Sequence, residues 1–494
     1  MMLYNLHVGL IHIALKIRIL LVSINLVCHI TFNFCMFGIC GMKYIYFTIF
    51  IIFFSTGAAH AQLDLSVTGF LRNYNAIENK NDQELIIGRN RLRLDLTRNI
   101  SNGRLVISND IQNLYSAASD SIFYRPREAY IDLYLPKVDI RIGRQMISWG
   151  RADGTFIADI LTPVDLREFL TQDFTDIKTG VTAFNGTRYF GSNFLQLVIN
   201  PVFNSNNIPE SSSRWFPSSL FPANLPIEYV QDDKTPTLGD TQIAARFAFR
   251  SNLKWNLDVA AYYWHFPNPA YNKGLGGPNI ITNPVNIQAP VNFEFREQFL
   301  QSWIGAYSGF YKLTDRLILK SESAFYQQRL FDIVPSEIRQ LNLSNPTLPN
   351  LIQAAQVFIT APNGLLVEKP WLISMAGLQY QWSGWLFSSQ YINERIFNYS
   401  AEILQKRNYD YMTLLIQKSF FRDKVNVTSF GRYNFDGQDF WVNPEIVYDV
   451  LEGVNLGAGT QIFGGKTPPD FFGHLSFNFF EDNSFTYLKI EAFF

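Results

Sequence analysis

The sequence predicts an all-β protein, a transmembrane antiparallel up-and-down barrel of about 18 strands, with a range of about 16 to 20. Three observations support this fold class. The chain ends in a strand with one apolar and one polar face, short turns alternate with long loops, and a secretory leader precedes a chain of balanced hydropathy. Each observation is weak alone, because alternation also occurs in soluble sheets.

The last strand has two chemically different faces. Four apolar side chains share one face: Leu488, Ile490, Ala492 and Phe494. The opposite face carries charged and aromatic side chains: Tyr487, Lys489, Glu491 and Phe493. Such a strand suits a wall between lipid and a polar lumen, although an edge strand of a soluble sandwich would show the same alternation. The ending also resembles the C-terminal recognition signal of bacterial outer-membrane barrels, which implies the barrel-assembly machinery as a partner that reads Leu488, Ile490 and Phe494.

The composition excludes disorder and a bundle of membrane helices. Hydrophobic residues make up 47% of the chain, and mean hydropathy is −0.01, whereas disordered chains combine low hydrophobicity with high net charge. Beyond residue 61 no run approaches the ~20 apolar residues of a spanning helix. A membrane barrel fits both facts, because half of its strand residues face lipid and half face water.

The first 61 residues have the features of an export leader. Met42 and Lys43 precede an apolar run at 44–54, and Ala59-His60-Ala61 forms a small-x-small cleavage site. We therefore expect a signal peptide at 42–61 and a mature barrel at 62–494. Residues 1–41 are either an over-extended gene start or an extra membrane segment across 17–40. All three cysteines precede residue 41, so the mature chain would hold no disulfide.

Turns and loops alternate along the mature chain. Short turns carry Gly, Asn, Asp or Pro, as at Ser383-Gly384 and Pro136-Lys137. Long irregular segments lie at about 150–177, 201–239, 266–297, 329–368 and 464–483. This asymmetry is typical of outer-membrane barrels, and both termini on one side require an even strand number. A direct count of strands gives nineteen, so we assign Phe472–Phe480 to a loop and expect eighteen.

One strand offers a test of dimensions. Trp255 and Tyr263 lie on the same face as three apolar residues and are eight positions apart. At ~3.3 Å per residue they stand about 26 Å apart along the strand. Aromatics at both ends of an apolar stripe match two interfacial girdles, although ordinary core packing would also explain them.

The segment Arg141–Gly154 is the most distinctive internal string, because a strand breaks at Gly150 into a loop that could fold into the lumen. Here the chain resembles a porin-like family of outer-membrane barrels of unknown function, similar in outline to alginate-export porins. The residues that carry the resemblance are Gly143, Arg144, Gln145, Trp149, Gly150, Pro163 and Asp165. The resemblance implies passage of a solute across the outer membrane, with no defined substrate. A short helix is also expected at Leu166–Gln172.

Strand parity places charged side chains on the inner face. The residues that we expect at the lumen or its constriction are Arg89, Arg91, Arg93, Asp132, Asp139, Arg141, Arg144, Gln145, Trp149, Arg151, Asp153 and Asp165. Among them we expect Arg89, Arg91, Arg93, Arg141 and Arg151 to contact solute or ions, with Asp132 and Asp139 as their partners. Opposed charges in a narrow lumen select ions and orient dipolar solutes. The alternative is that they are ion pairs that hold the wall together. Arg144 breaks the parity of Arg141, which predicts a bulge or a rim position.

Enzymatic and nucleic-acid functions find little support. Only His265 and His474 remain in the mature chain, and no serine has a spacing that singles out a nucleophile. Zinc sites lack ligands. Five loop aspartates could hold calcium but match no EF-hand. Removal of residues 1–61 leaves 38 Lys and Arg against 42 Asp and Glu, which is not a nucleic-acid footprint. We expect no enzyme and no cofactor.

The sequence therefore favours an outer-membrane channel of a Gram-negative bacterium for small polar or anionic solutes, with membrane lipid as its surroundings. Two alternatives stay open. One is a barrel that moves hydrophobic molecules with a periplasmic partner, which inward-facing Tyr326, Tyr380 and Trp382 would favour. The other is a non-conducting structural or adhesive barrel.

Overall fold

The structure is a computed structural model that describes most of the chain beyond residue 64. The described residues are 65–80, 83–115, 121–169, 171–210, 212–216, 227–230, 237–251, 254–276, 292–341, 347–466 and 476–494. The expected signal peptide at 42–61 and the stretch 1–41 lie outside these residues.

The elements follow one another as predicted for an up-and-down barrel. The barrel strands are β1 (Leu65–Glu78), β2 (Leu85–Ile100), β3 (Gly103–Leu114), β4 (Ser121–Tyr134), β5 (Val138–Gln145), β6 (Val181–Phe190), β7 (Asn193–Asn200), β9 (Gln242–Arg250), β10 (Trp255–His265), β13 (Gln301–Lys312), β14 (Leu317–Asp332), β15 (Leu366–Trp382), β16 (Trp385–Ile396), β17 (Asn408–Phe420), β18 (Val425–Asn434), β19 (Asp439–Leu451), β20 (Val454–Gly465) and β21 (Phe485–Phe493). Three short strands lie outside the barrel: β8 (Ile227–Val230), β11 (Ala270–Gly276) and β12 (Asn292–Gln298). The helices are α1 (Phe174–Ile177), α2 (Ser336–Arg339) and α3 (Leu348–Thr360).

The barrel is one antiparallel sheet that closes on itself. Eighteen strands form it within the described residues, which confirms the predicted fold class. The last strand, β21, pairs with β20 on one edge and with β1 on the other. Beyond its end, Phe494 and Gly69 exchange both backbone hydrogen bonds at 3.1 Å. The closure leaves neither terminal strand with a free edge.

The two faces of the wall differ as the sequence predicted. On β10 the outward-facing Trp255 and Tyr263 are 39% and 36% exposed. Trp255 pairs with Tyr311 and Tyr263 with Trp303 on β13, so two aromatic levels bracket the apolar stripe between them. On β21, Leu488 is exposed and Lys489 is buried inside. The outer surface is therefore an apolar band with aromatic edges.

The turns and long connections lie at opposite ends of the barrel. At the end with the short turns, Ser383 and Gly384 link β15 to β16 with φ of 47° and 79°, the left-handed region that two-residue hairpins use. At the opposite end, the long connections carry β8, β11 and β12, which form a separate three-stranded sheet. We call these two ends the short-turn end and the long-loop end.

Two local expectations from sequence have clear outcomes. The chain after β20 holds a 3-10 turn at Phe477–Asn483 instead of a barrel strand, so the choice of eighteen strands is confirmed for the described part of Phe472–Phe480. The prediction of a helix at Leu166–Gln172 is wrong, because the described residues of this range form turns and irregular structure. The helical turn is α1, which follows it and begins after Asp173. No helix among the described residues has the length and apolar character needed to cross a membrane.

The outward face of β10 yields a prediction about stability. Val259 lies midway between the two aromatic levels and is 46% exposed. We expect Val259→Arg to lower the free energy of unfolding in lipid vesicles by about 2–4 kcal/mol, because it places a charge at the middle of the apolar band. Urea titration followed by tryptophan fluorescence measures the loss. The matched Trp255→Arg, at the edge of the band, should cost about 0–1 kcal/mol, and equal losses would contradict a lipid-facing wall.

Candidate functional site: a segment that crosses the lumen

The described residues of 146–180, all but position 170, fold into the barrel instead of extending outward, and we call them the inner segment. Their apolar side chains pack against inward-facing residues of the wall in one buried cluster. Trp149 is 2% exposed, and its ring lies 5.3 Å from that of Tyr262 on β10. The Trp149 indole Nε1 donates to Gln196 on β7 at 3.0 Å. Burial of Ile157 and Leu161 in the same cluster makes the inner segment part of the core.

A carboxylate on β14 holds one side of the inner segment. Glu322 is fully buried and accepts hydrogen bonds from the backbone N–H of Arg151 and of Ala158. Ser308 Oγ donates to it at 3.1 Å. Nearby, the Asp153 carboxylate accepts from Ser388 and Gln390 on β16. These bonds attach residues 151–158 to the wall of β13–β16.

A carboxylate on α1 holds the other side of the inner segment. Asp176 accepts from Arg72 on β1 at 2.7 Å and from Arg91 and Arg93 on β2 at 2.8 Å each. Burial alone would raise the pKa of Asp176, but the positive charges of Arg91, Arg72 and Arg93 hold it well below its usual range. The inner segment is thus anchored on two opposite walls.

A cavity of about 460 Å³ lies between the inner segment and the wall of β1, β2 and β18–β21. Arginine side chains from β1 and β2, together with Lys489, line one side. Aromatic and polar side chains line the rest, and these include Phe174 from α1 and Trp441 from β19. Within the described residues, Arg91 Nε and the Tyr74 hydroxyl are buried without a hydrogen-bond partner. Both residues line the cavity, so its arginine side holds donors that the described protein groups leave unpaired.

Several arginines predicted from sequence lie inside the barrel and are already paired. Arg89 donates to Glu168 of the inner segment at 2.8 Å. Arg93 forms a two-point contact with Asp110 on β3 at 2.8 and 2.9 Å. Arg93 thus makes an ion pair within the wall and Arg89 makes one with the inner segment, and their contact with solute stays a prediction.

The two carboxylates that we predicted as partners of the arginines, Asp132 and Asp139, have different hydrogen-bond donors in the structure. Asp132 lies opposite Arg141 in register and accepts from it at 2.6 and 3.0 Å. Asp139, expected to serve the same arginine, instead accepts from the Tyr189 hydroxyl at 2.8 Å. The hydrogen bond of Asp139 is therefore made to the neighbouring strand β6, on which Tyr189 lies.

Three other residues that carry the family resemblance, Arg144, Gln145 and Asp165, have different surroundings. Gln145 faces inward, is fully buried and donates to the Ala183 carbonyl at 2.8 Å. Arg144 follows the opposite parity, and its Nε donates to the Pro126 carbonyl at 3.1 Å. Asp165, on the inner segment, is buried and accepts from its neighbour Arg167. Neighbouring positions of the Arg141–Gly154 string thus serve different faces of the wall, with Gln145 inward and Arg144 outward.

Sequence reasoning missed the two carboxylates that matter most. Asp176 is one of the five loop aspartates for which only a calcium site was considered, and Glu322 is not among the residues that we expected at the lumen. Neither residue has a local motif, because their partners lie on strands far away in the chain. Among the described residues, no group of three or more His, Cys, Asp or Glu side chains is arranged to hold a metal ion.

Comparison with known proteins gives a likeness at the level of structure only. No family model matches the sequence, and no curated protein matches it. The chain is similar to OccAB3 of Acinetobacter baumannii, with a TM-score of 0.47 and 9% identity over 87% of this chain and 99% of that one. It is also similar to OccK5 (OpdH) of Pseudomonas aeruginosa, with a TM-score of 0.47 and 7% identity over 87% and 97%.

A third solved structure, the outer membrane channel DcaP of Acinetobacter baumannii, has a TM-score of 0.41 and 11% identity over 88% of this chain and 99% of that one. At these identities and TM-scores the likeness carries no argument about activity or solute. Any conclusion about function must therefore rest on the barrel's own geometry.

The Asp176 anchor yields a prediction about acid stability. Its folded-state pKa lies below the unfolded value of about 3.9, so the anchor contributes stability that is present above about pH 4 and is lost as pH falls below it. We expect the free energy of unfolding in lipid vesicles to fall between about pH 4 and 2, and to fall less steeply in Asp176→Asn. Urea titrations across this pH range measure both slopes. Identical slopes would show that Asp176 does not carry the effect.

Proposed function

We propose that this chain is an outer-membrane channel of a Gram-negative bacterium that lets small polar or anionic solutes pass by diffusion. The observation that carries the proposal is the cavity of about 460 Å³ beside the inner segment, lined on one side by Arg72, Arg89 and Arg91. A water-filled lumen narrowed by an inward loop and charged walls is the arrangement that selects solutes by size and charge. For the solute, the proposal specifies a class: small polar or anionic molecules.

The outer surface supports the location. An apolar band with aromatic edges suits a bilayer, and membrane lipid would be its surroundings. Export by the 42–61 signal peptide and insertion by the barrel-assembly machinery belong to the same proposal. The exposed Leu488 on β21, with Ile490 and Phe494 on the same face, supports recognition of the last strand.

We place the narrowest part of the proposed path beside Phe174 of α1. Phe174 projects from α1 into the cavity and packs against Phe430 and Trp441 at ring-centroid distances of 5.8 and 6.1 Å. Since Asp176 anchors the same helical turn, these rings are held in place. We infer that the size limit of the channel is set between α1 and the wall of β18–β19.

One observation favours a second candidate, a barrel for hydrophobic molecules with a periplasmic partner. The interior holds a large aromatic cluster that includes Phe169, Phe463 and Phe480. However, Phe169 and Phe480 stack at 4.3 Å and are buried, and the rings of the cluster that do line the cavity, such as Trp441, share it with charged side chains. Tyr326 faces inward, whereas Tyr380 and Trp382 are exposed on the outside. The second candidate therefore has less support.

Conductance in planar bilayers tests the proposal. We expect the purified chain to give discrete conductance steps, and Phe174→Ala to raise the single-channel conductance by about 1.5-fold or more, because it widens a narrow, solvent-filled path. Tyr307→Ala, which removes an aromatic ring from the outer face, is the matched control and should leave conductance unchanged.

The absence of any step would contradict the channel and support a structural or adhesive barrel. Steps that Phe174→Ala leaves unaltered would support the channel but place its constriction elsewhere. Uptake of hydrophobic probes by vesicles without ionic conductance would support the second candidate.

A further inference from the structure

A second group of arginines lies on the wall away from the cavity's arginine side. Arg246 and Arg250 come from β9, close to the short-turn end, and Arg151 reaches them from the inner segment. All three face one carboxylate, Asp258 on β10. Arg250 Nη1 lies 2.5 Å from it, and a guanidinium nitrogen of Arg151 and of Arg246 each lies 3.7 Å from it. We call these four residues the β9 cluster.

The guanidinium groups of the β9 cluster are incompletely bonded. Arg151 Nε and Arg246 Nε are buried and have no hydrogen-bond partner among the described residues. Arg246 does donate to Gln196 at 2.6 Å through Nη2. An unsatisfied donor on a charged, desolvated group is unfavourable, so each Nε retains capacity for an acceptor.

Aromatic rings support the flat faces of the same groups. The Arg246 guanidinium lies 4.9 Å from the centroid of the Trp149 ring, and that of Arg151 lies 5.0 Å from that of Phe310. The Arg250 group lies 5.0 Å from the ring of Phe194. Stacking orients a guanidinium without using its hydrogen-bond donors. The three arginines are thereby held in position with donors still available.

The charge of the β9 cluster is not balanced by its surroundings. Asp159 is already paired with Lys178. The next carboxylate is Glu322, which accepts from the backbone N–H of Arg151. Even when Glu322 is counted together with Asp258, the three arginines leave a surplus of one positive charge. On the opposite wall, by contrast, four arginines lie 2.6 to 3.7 Å from four carboxylates: Arg72, Arg91, Arg93 and Arg127 face Asp110, Asp173, Asp176 and Glu491.

The β9 cluster is also open to the lumen. The side chains of Arg151 and Arg250 are 27% and 23% exposed, whereas Asp258 is 8% exposed. Arg151 in addition lines the cavity of about 460 Å³. Arg151 therefore joins the β9 cluster to the cavity, and a solute in the cavity can contact its guanidinium group.

We propose that Arg151, Arg246 and Arg250 form an anion subsite that binds a carboxylate or phosphate group of a passing solute. The subsite rests on the proposed channel function and specifies where anion preference arises. Guanidinium groups bind carboxylate and phosphate oxygens through paired N–H donors, and the partly exposed guanidinium groups of Arg151 and Arg250 present such donors to the lumen. Anion preference is thus assigned to the under-neutralised β9 cluster, and the paired arginines Arg93 and Arg141 serve the wall.

The test is made on the purified full chain in planar bilayers under a KCl gradient. We expect the Arg246→Gln, Arg250→Gln double variant to lower the chloride-to-potassium permeability ratio about threefold or more. Block by acetate or by inorganic phosphate, added in separate arms, should weaken about tenfold in apparent affinity. The control is Lys273→Gln, which removes a buried charge paired with Asp332 outside the β9 cluster, and it should change neither readout.

A conservative variant separates charge from hydrogen bonding. Arg246→Lys keeps the positive charge but removes the planar pair of donors. It should therefore retain the permeability ratio and lose affinity for the blocking anion. Weaker block by only one of the two anions would identify whether the subsite takes carboxylate or phosphate.

The outcomes distinguish the subsite from the channel. A chain that conducts, with selectivity and block unchanged in the double variant, would overturn the subsite and leave the proposed channel standing. A chain that does not conduct would overturn the channel and, with it, the role of the subsite. A double variant that fails to fold is replaced by Arg250→Gln alone, for which any change in acetate block supports the subsite and no change refutes it.

Discussion

Closure of the sheet is the constraint on which the rest of the structure depends. A strand surrounded by lipid cannot leave backbone N–H and C=O groups unpaired, so every edge in the wall must find a partner. The pairing of β21 with β1 satisfies this need for the first and last strands together. It joins residues more than 400 positions apart, as in the contact between Arg72 and Glu491. Once the sheet is closed, parity alone assigns each strand side chain to the inside or the outside.

Inside the closed wall, ion pairs and hydrogen bonds position the side chains, whereas the outer face is positioned by contact with lipid. Buried charges are tolerated only when they are paired and hydrogen-bonded. The interior meets this condition unevenly. Around Asp176 four arginines share four carboxylates, whereas in the β9 cluster three arginines share Asp258. The arginines around Asp176 therefore stabilise the wall, whereas the arginines of the β9 cluster keep the capacity to bind an anion that we propose for them.

The fold could be predicted from sequence because its rules are local. The two-residue period assigns faces, turn residues mark strand ends, and the even strand number decided against a strand at Phe472–Phe480. The interior could not be predicted in the same way. Parity placed Arg93 inside, but nothing local says that Asp176, 83 positions later, would meet it. For Asp139 parity was correct and the partner differed, because Tyr189 on β6 approaches it from the other side.

The double anchoring of the inner segment has a mechanical consequence. Glu322 and Asp176 attach the inner segment to strands on different sides of the lumen. The segment thus connects two opposite walls, like a cross-beam inside a tube. A cross-beam resists flattening of the barrel and fixes the aperture beside it. The effective width for a solute then follows from side-chain identity at a few positions, such as Phe174, instead of from loop motion. Changes in the long outer loops would alter what reaches the entrance while leaving the bore itself unchanged.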